Sequence, residues 1–137
     1  MKEYFEILGK PQGKARARTV RGHSYTPENT VLYENHVKQS FLASVKKRWF
    51  EGQPLEVSIA AFFPIVKSAS KRDKTLMAEG KLFPTKKPDA DNIAKVICDA
   101  LNGVAYCDDT QIVKLTVRKL YTEKEPKVIV YIGESGC

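Results

Sequence analysis

The 137-residue chain carries 23 lysines and arginines against 16 aspartates and glutamates, for a formal net charge of +7. This length predicts one domain, residues 1–137, and no apolar run approaches the roughly 18 residues that a membrane span needs. The basic balance favours a polyanionic partner, although ordinary solubility explains it as well. The first residues lack the apolar stretch of a signal peptide, so we expect a cytoplasmic protein with no membrane partner.

In the first half of the chain, the sequence predicts three extended segments and one long helix. Alternating apolar residues, or residue types that favour strands, mark the extended segments at 2–8, 19–25 and 55–63. Thr26 and Pro27 form a helix-start signal, as cap and first helical residue, and apolar side chains at helical spacing continue that helix to about residue 50. A basic loop punctuated by glycine and proline joins the first two extended segments.

The second half predicts a basic connection, a second main helix and two final strands. The connection carries seven lysines and arginines, with one or two helical turns expected near 69–79. The helix begins at Asp89, and its apolar positions recur at i, i+3, i+4, i+7 and i+8 until an Asn-Gly pair ends it. Residues 112–121 and 127–132 predict strands that pair with each other as a hairpin. The sum is a small α+β domain, with a mostly antiparallel or mixed sheet packed against two main helices.

Acidic residues gather at one place in this basic chain. Asp89 and Asp91 stand at the start of the second main helix, and Asp108 and Asp109 follow it after a short loop. Taken singly, such aspartates are more often helix caps, first-turn residues or turn residues than catalysts. Together they indicate chemistry, because the apolar face leaves Asp91 and Lys95 on another face, towards which a short loop can return the later acids.

The residue types in this cluster suit phosphate chemistry. Clustered carboxylates are the oxygen ligands that Mg²⁺ selects, and a nearby lysine can stabilise negative charge that develops on a phosphate. In the N-terminal basic loop, Arg16 and Arg18 alternate around Ala17, so both can face one way. A solvated loop is the plain alternative, but the guanidinium group of arginine suits bidentate phosphate contact.

At these motifs the sequence resembles the RusA-type Holliday junction resolvases, which phages and prophages often carry. Three ordered motifs bear the resemblance, approximately KPDxDNxxK, DALNG and DDxQI, at residues 87–95, 99–103 and 108–112. The N-terminal basic loop is similar to the opening of the same family, so the resemblance spans about residues 7–120. Ala17 departs from the family pattern, because a proline commonly stands between the two arginines.

The resemblance implies a homodimeric endonuclease that cuts four-way DNA junctions symmetrically during recombination and repair. It implies Mg²⁺ as the cofactor, with Mn²⁺ as a substitute, and no organic small-molecule cofactor. It maps catalytic and metal-binding acids onto Asp89, Asp91 and Asp109, with Asp108 as an adjacent ligand, and an essential lysine onto Lys95. The basic residues expected to contact DNA are Lys14, Arg16, Arg18, Arg21, Lys71, Arg72, Lys86 and Lys87.

Two alternatives remain open at this stage. One is a non-catalytic nucleic-acid-binding module whose acids only cap a helix and open a turn. The other is a nuclease that acts on other branched DNA or on linear duplex DNA. Mg²⁺-dependent nicking of DNA would exclude the first, and a comparison of a four-way junction with a linear duplex of the same sequence would separate the second from a junction resolvase.

Overall fold

The protein folds into six strands and three helices, seen in a computed structural model that describes residues 2–15, 18–25 and 27–136. The strands are β1 (Lys2–Leu8), β2 (Arg18–Val20), β3 (His23–Tyr25), β4 (Leu55–Pro64), β5 (Ile112–Thr122) and β6 (Lys127–Glu134). The helices are α1 (Glu28–Ser44), α2 (Lys71–Ala78) and α3 (Ala90–Leu101), and a 3-10 turn at Asp109–Gln111 precedes β5. This arrangement confirms the predicted α+β class.

Four of the strands form one mixed sheet in the order β1-β6-β4-β5, while β2 and β3 form a separate antiparallel hairpin. Strand β6 pairs antiparallel with β1 and with β4, whereas β4 and β5 run parallel. The predicted hairpin between β5 and β6 is therefore wrong, because β4 lies between them. β4 alternates buried and half-buried residues along most of its length and takes the central position, and the more exposed β5 takes the edge.

The core lies between one face of this sheet and the helices α1 and α3. The apolar face predicted for α3 is confirmed, since its five residues are essentially buried: Ile93, Val96, Ile97, Ala100 and Leu101. From the sheet, Phe5 meets Phe41 of α1 edge to face, with ring centroids 5.4 Å apart. Burying each large apolar side chain contributes about 1.5–3 kcal/mol, so this face fixes the rotation of α3 about its axis.

Helix α1 ends at Ser44, well before the predicted end near residue 50. Val45 and Trp49 are still buried, but they reach the core from a segment that is neither helix nor strand. The backbone N–H of Trp49 donates to the Ala105 carbonyl at 2.9 Å, a bond that a continued helix would not allow. Pro27 occupies the N-cap position instead of the first helical position, and the predicted cap Thr26 lies outside the described residues.

The chain between β4 and β5 crosses from one end of the sheet to the other, as a connection between parallel strands must. Helices α2 and α3 lie on this crossover, and α2 confirms the helical turns expected near 69–79. The crossover brings the acidic motif at the start of α3 and the later acids before β5 onto one connection.

Within the described part of the chain, no helix has both the length and the apolar character for a membrane span.

Candidate active site

The first turn of α3 presents the acidic motif. Asp89 is the N-cap, yet its side chain makes no capping hydrogen bond with the described residues, and its carbonyl accepts from the Ile93 N–H at 3.0 Å. The helix therefore does not use this carboxylate, which weakens the purely structural explanation for it. Asp91 and Lys95 follow one turn apart on the exposed side of the helix.

A buried tyrosine folds the loop after α3 back onto the helix. Tyr106 is fully buried, and its hydroxyl donates to the Cys98 carbonyl at 2.7 Å. Burial raises the pKa of the Tyr106 hydroxyl, so the group remains a donor at neutral pH. The bond ties the loop to the last turns of α3. Sequence reasoning assigned no role to this residue, because a tyrosine in a short loop gives no signal of its partner.

A buried glutamine anchors the turn that opens β5. Gln111 is 8% exposed, and its Oε1 accepts from the N–H groups of Cys107 and Asp108 at 3.0 and 3.1 Å. Its Nε2 donates to the carbonyls of Phe50 and Gln53 at 2.8 and 3.1 Å. One side chain therefore satisfies four backbone groups from two segments. The glutamine of the DDxQI motif was the available signal, but the sequence predicted no role for it.

The two adjacent aspartates of this turn have different surroundings. Asp108 caps the 3-10 turn, and its Oδ1 accepts from the Thr110 N–H at 3.3 Å. This is the structural role that is common for an aspartate before a turn. Asp109 is the first residue of the turn and is half-buried, and it faces α3 across a cleft.

This cleft, the acid cleft, has a volume of about 370 Å³ and lies between α3 and the start of β5. Its lining residues are Asp91, Ala94, Lys95, Cys98, Asp99, Asp109, Ile112 and Leu115. The structure thus brings Asp91, Lys95 and Asp109 together. Asp99, for which the sequence predicted no catalytic role, lines the same cleft. Asp89 does not line it.

Negative charge crowds the acid cleft around Asp109. Partial burial, a hydrogen bond with Asp108 and the charges of Asp108 and Asp99 raise the pKa of Asp109, and the Lys95 ammonium opposes this effect. The ionised carboxylate is therefore less favourable here than in water. A bound cation would relieve that cost, so the electrostatics of the cleft favour a positively charged ligand.

The donor set of the acid cleft fits a hard divalent cation. Within residues 2–15, 18–25 and 27–136, no three His, Cys, Asp or Glu side chains lie close enough together to hold a metal ion by themselves. Mg²⁺ usually needs only one or two protein carboxylates, because it keeps waters and takes phosphate oxygens from the substrate. Asp91 and Asp109 supply such oxygens. Burial raises the pKa of the Cys98 thiol to about 11, so this neighbour stays protonated and is a poor soft ligand.

Asp89 lines a second, neighbouring cleft of about 800 Å³, here called the basic-loop cleft. Its lining residues are Lys10, Pro11, Gln12, Gly13, Lys14, Asn29, Lys87, Pro88, Asp89 and Asn92. The two sides touch at Gly13, where an added Cβ would lie 2.9 Å from the Pro88 Cβ and 3.0 Å from the Asn92 Cβ. The N-terminal basic loop and the start of α3 therefore form one unit, which their separation in sequence did not reveal.

The basic residues predicted to contact DNA lie in several environments. Lys86 and Lys87 are exposed just before Pro88, Lys71 and Arg72 are exposed in the first turn of α2, and Arg21 is exposed between β2 and β3. Lys14 instead pairs with Glu34 and Asp99. Arg16 lies outside the described residues, as does the side chain of Arg18.

Two comparisons with known proteins cover nearly the whole chain. Residues 8–133 match the family described as Endodeoxyribonuclease RusA, a range that includes both clefts. A protein of Bacillus subtilis (strain 168) named "Uncharacterized protein YqaN" is 35% identical over 136 residues, which cover 95% of this chain and 94% of the relative. Similarity of this extent includes the elements that build the site as well as the acidic motif itself.

Proposed function

This chain belongs to the RusA endodeoxyribonuclease family, and we propose from that premise that it is a metal-dependent endonuclease that resolves four-way DNA junctions. The family implies an endonuclease activity on Holliday junctions. The observation that carries the proposal for this chain is the acid cleft, in which Asp91, Lys95 and Asp109 converge from α3 and the turn before β5. Two carboxylates can hold a metal ion that assists phosphodiester hydrolysis, and an ammonium can stabilise the negative charge that develops on the phosphate.

The metal-binding role in this proposal falls to three of the four clustered aspartates. Asp91 and Asp109 would hold Mg²⁺, with Mn²⁺ as a substitute, and Asp89 would contribute from the adjoining cleft because it makes no capping bond. Asp108 is the weaker candidate, since the turn already occupies its side chain. When bound, the cation supplies a water of lowered pKa and polarises the scissile phosphate.

The remaining residues of the proposed site bind and orient the substrate. Lys95 puts a positive charge beside the acids, where it would stabilise the negative charge that develops on the phosphate. Lys87 lines the basic-loop cleft next to Asp89, so it would hold the DNA backbone close to the acids. The exposed basic side chains of α2 and of the β2–β3 turn would extend this contact along the DNA.

Symmetric cleavage of a junction needs two active sites, one for each of two strands. We propose that a C₂ homodimer supplies them, because the two-fold axis of the dimer can coincide with that of the junction. Analytical ultracentrifugation should find a dimer at the concentrations at which the protein cuts. A monomer that makes paired, symmetric cuts would contradict this part of the proposal.

Purified protein, incubated with a synthetic four-way junction or with a linear duplex of the same sequence, tests the proposed function. With Mg²⁺ we expect paired cuts at symmetric positions near the branch point, and without Mg²⁺ no cuts. Equal cutting of the linear duplex would instead identify a nuclease of other specificity. Tight junction binding with no cutting at any Mg²⁺ or Mn²⁺ concentration would identify a non-catalytic binding module.

A further inference from the structure

Lys14 lies between two carboxylates from different helices. Its Nζ is 2.7 Å from Glu34 Oε2 of α1 and 3.3 Å from Asp99 Oδ2 of α3. The three side chains are only 19%, 17% and 29% exposed, so this is a partly buried network and not a loose surface pair. Burial disfavours the ammonium, but the bonds and charges of Glu34 and Asp99 outweigh it and raise the pKa of Lys14. The lysine therefore stays charged and paired.

The backbone around Lys14 makes further contacts with the same two helices. The Lys14 N–H donates to the Asn92 carbonyl of α3 at 2.9 Å. The next N–H, that of Ala15, donates at 3.3 Å to Thr30 Oγ1 of α1, a side chain that is 2% exposed. With the close approach of Gly13 to α3, residues 13–15 are docked in the groove between α1 and α3.

This network reaches the acid cleft through Asp99. The Asp99 carboxylate lines the cleft together with Asp109, and its charge is one of those that raise the pKa of Asp109. The ammonium of Lys14 offsets part of that negative charge and holds the Asp99 side chain in place. The N-terminal basic loop is therefore connected, by one side chain, to the residues expected to hold the metal.

We propose that Lys14 is a positioning residue: it docks the N-terminal loop between α1 and α3 and holds the Asp99 carboxylate at the acid cleft, and it does not bind a DNA phosphate. The part of this inference that concerns catalysis rests on the proposed function. A phosphate would have to displace Glu34 or Asp99 from the ammonium and would meet their negative charges as it did so. An unpaired carboxylate left partly buried would oppose that exchange.

Charge-changing variants distinguish positioning from phosphate binding. Lys14→Met removes the ammonium and Glu34→Gln removes one of its partners, while Lys14→Arg keeps a cation that can bridge two carboxylates. Lys127→Met and Glu6→Gln are matched controls, because they break an ion pair of 3.0 Å on β1 and β6. Glu34→Gln is the sharpest variant, since it makes the protein more basic and by charge alone would favour DNA binding.

The kinetic readout is junction cleavage over a range of DNA concentrations at saturating Mg²⁺, with the salt dependence of junction binding measured in parallel. Positioning predicts that Lys14→Met and Glu34→Gln each lower kcat about tenfold with little change in KM, and that Lys14→Arg restores most of it. It also predicts an unchanged salt slope for Lys14→Met and unchanged rates for the controls. The proposal would be overturned if both Lys14→Met and Glu34→Gln kept the wild-type kcat and the salt slope of junction binding by Lys14→Met were smaller by about 0.9.

Hydrogen exchange of the free protein tests the docking without any DNA. We expect the amides of Lys14 and Ala15 to exchange at least tenfold faster in Lys14→Met and Glu34→Gln, with the amides of β4 and β6 as slow as in the wild type. If Lys14→Met fails to fold, Glu34→Gln still makes the comparison. Wild-type protection at both amides would refute the docking role. If the wild type cuts no DNA, the proposed function fails, and this readout still decides the docking role.

Discussion

Carboxylates that crowd one cleft repel one another unless a cation lies between them, and Asp109 shows this effect most clearly. Its pKa is raised by partial burial, by Asp108 and by Asp99. When the pKa of an acid is higher in the folded state than in the unfolded state, its ionised form is less favourable in the folded protein. The group therefore lowers the free energy of unfolding at pH values above its pKa. The site therefore carries a stability cost that a bound metal would remove.

We predict that Asp109→Asn raises the unfolding temperature in metal-free buffer at neutral pH, because it removes an ionised group from this crowded cleft. Mg²⁺ should then raise the unfolding temperature of the wild type more than that of the variant, since only the wild type keeps all of the proposed ligands. Calorimetry with and without Mg²⁺ measures both effects. Asp108→Ala is the contrasting control, because it loses the bond to Thr110 and should destabilise. A less stable Asp109→Asn would contradict this prediction.

The sequence predicted the placement of some site residues and not the contacts of others. Asp91 and Lys95 were predictable because one amphipathic helix fixes both, and its apolar face is readable from spacing alone. The pairing of Lys14 with Glu34 and Asp99 was not, because no local pattern says which distant carboxylate a lysine will meet. The same limit hid two partners of Gln111, the carbonyls of Phe50 and Gln53, which lie on a segment far away in the sequence.

At the level of structural elements, the turn before β5 sets where Asp109 points. We predict that Gln111→Leu destabilises the protein by about 1–3 kcal/mol, because it leaves partly buried backbone donors and acceptors without this partner. It should also lower kcat, because the turn that carries Asp109 loses its anchor. Urea unfolding and single-turnover cleavage measure the two effects. Thr110→Ala, at an exposed neighbour, should change neither, and a similar loss in that control would show that the anchor is not the cause.

The contact between the basic loop and α3 gives a second prediction at this level. Gly13→Ala should cost about 1–3 kcal/mol, because the new Cβ would lie 2.9–3.0 Å from Pro88 and Asn92. Gly136→Ala is the matched control, since its Cβ would meet no atom within 4 Å. Chemical unfolding of both variants is the measurement. Equal stability of the two would mean that the loop does not pack against α3 in solution.

Strand positions were predicted better than strand partners. Alternation of apolar residues located β1, β4, β5 and β6 to within a few residues. It did not show that β4 would separate β5 from β6, because alternation specifies the buried face of a strand but does not specify which strands pair with it. The length of α1 was overestimated for a related reason, because Val45 and Trp49 are core residues in a non-helical segment just as they would be in a helix.

For the whole molecule, the net charge of +7 predicts binding that depends steeply on salt. The logarithm of the junction association constant should fall with log salt concentration by about 0.9 for each phosphate contacted. Lys87→Ala should reduce that slope by about one contact, because Lys87 is exposed in the basic-loop cleft. Lys127→Ala, which breaks a pair with Glu6 on the sheet, should leave it unchanged. Fluorescence anisotropy at several salt concentrations gives the slopes, and a flat response in the wild type would argue against a DNA substrate.

The central claim is that the acid cleft hydrolyses DNA with a metal held by its carboxylates, and Asp91→Asn tests it most directly. Cleavage of a four-way junction should be measured for wild type and variant over a range of Mg²⁺, with junction binding measured in EDTA. We predict that Asp91→Asn cuts at least about a hundredfold more slowly. It should bind the junction equally well or more tightly, because one negative charge near the phosphate is gone. Cleavage by Asp91→Asn at the wild-type rate would contradict the account.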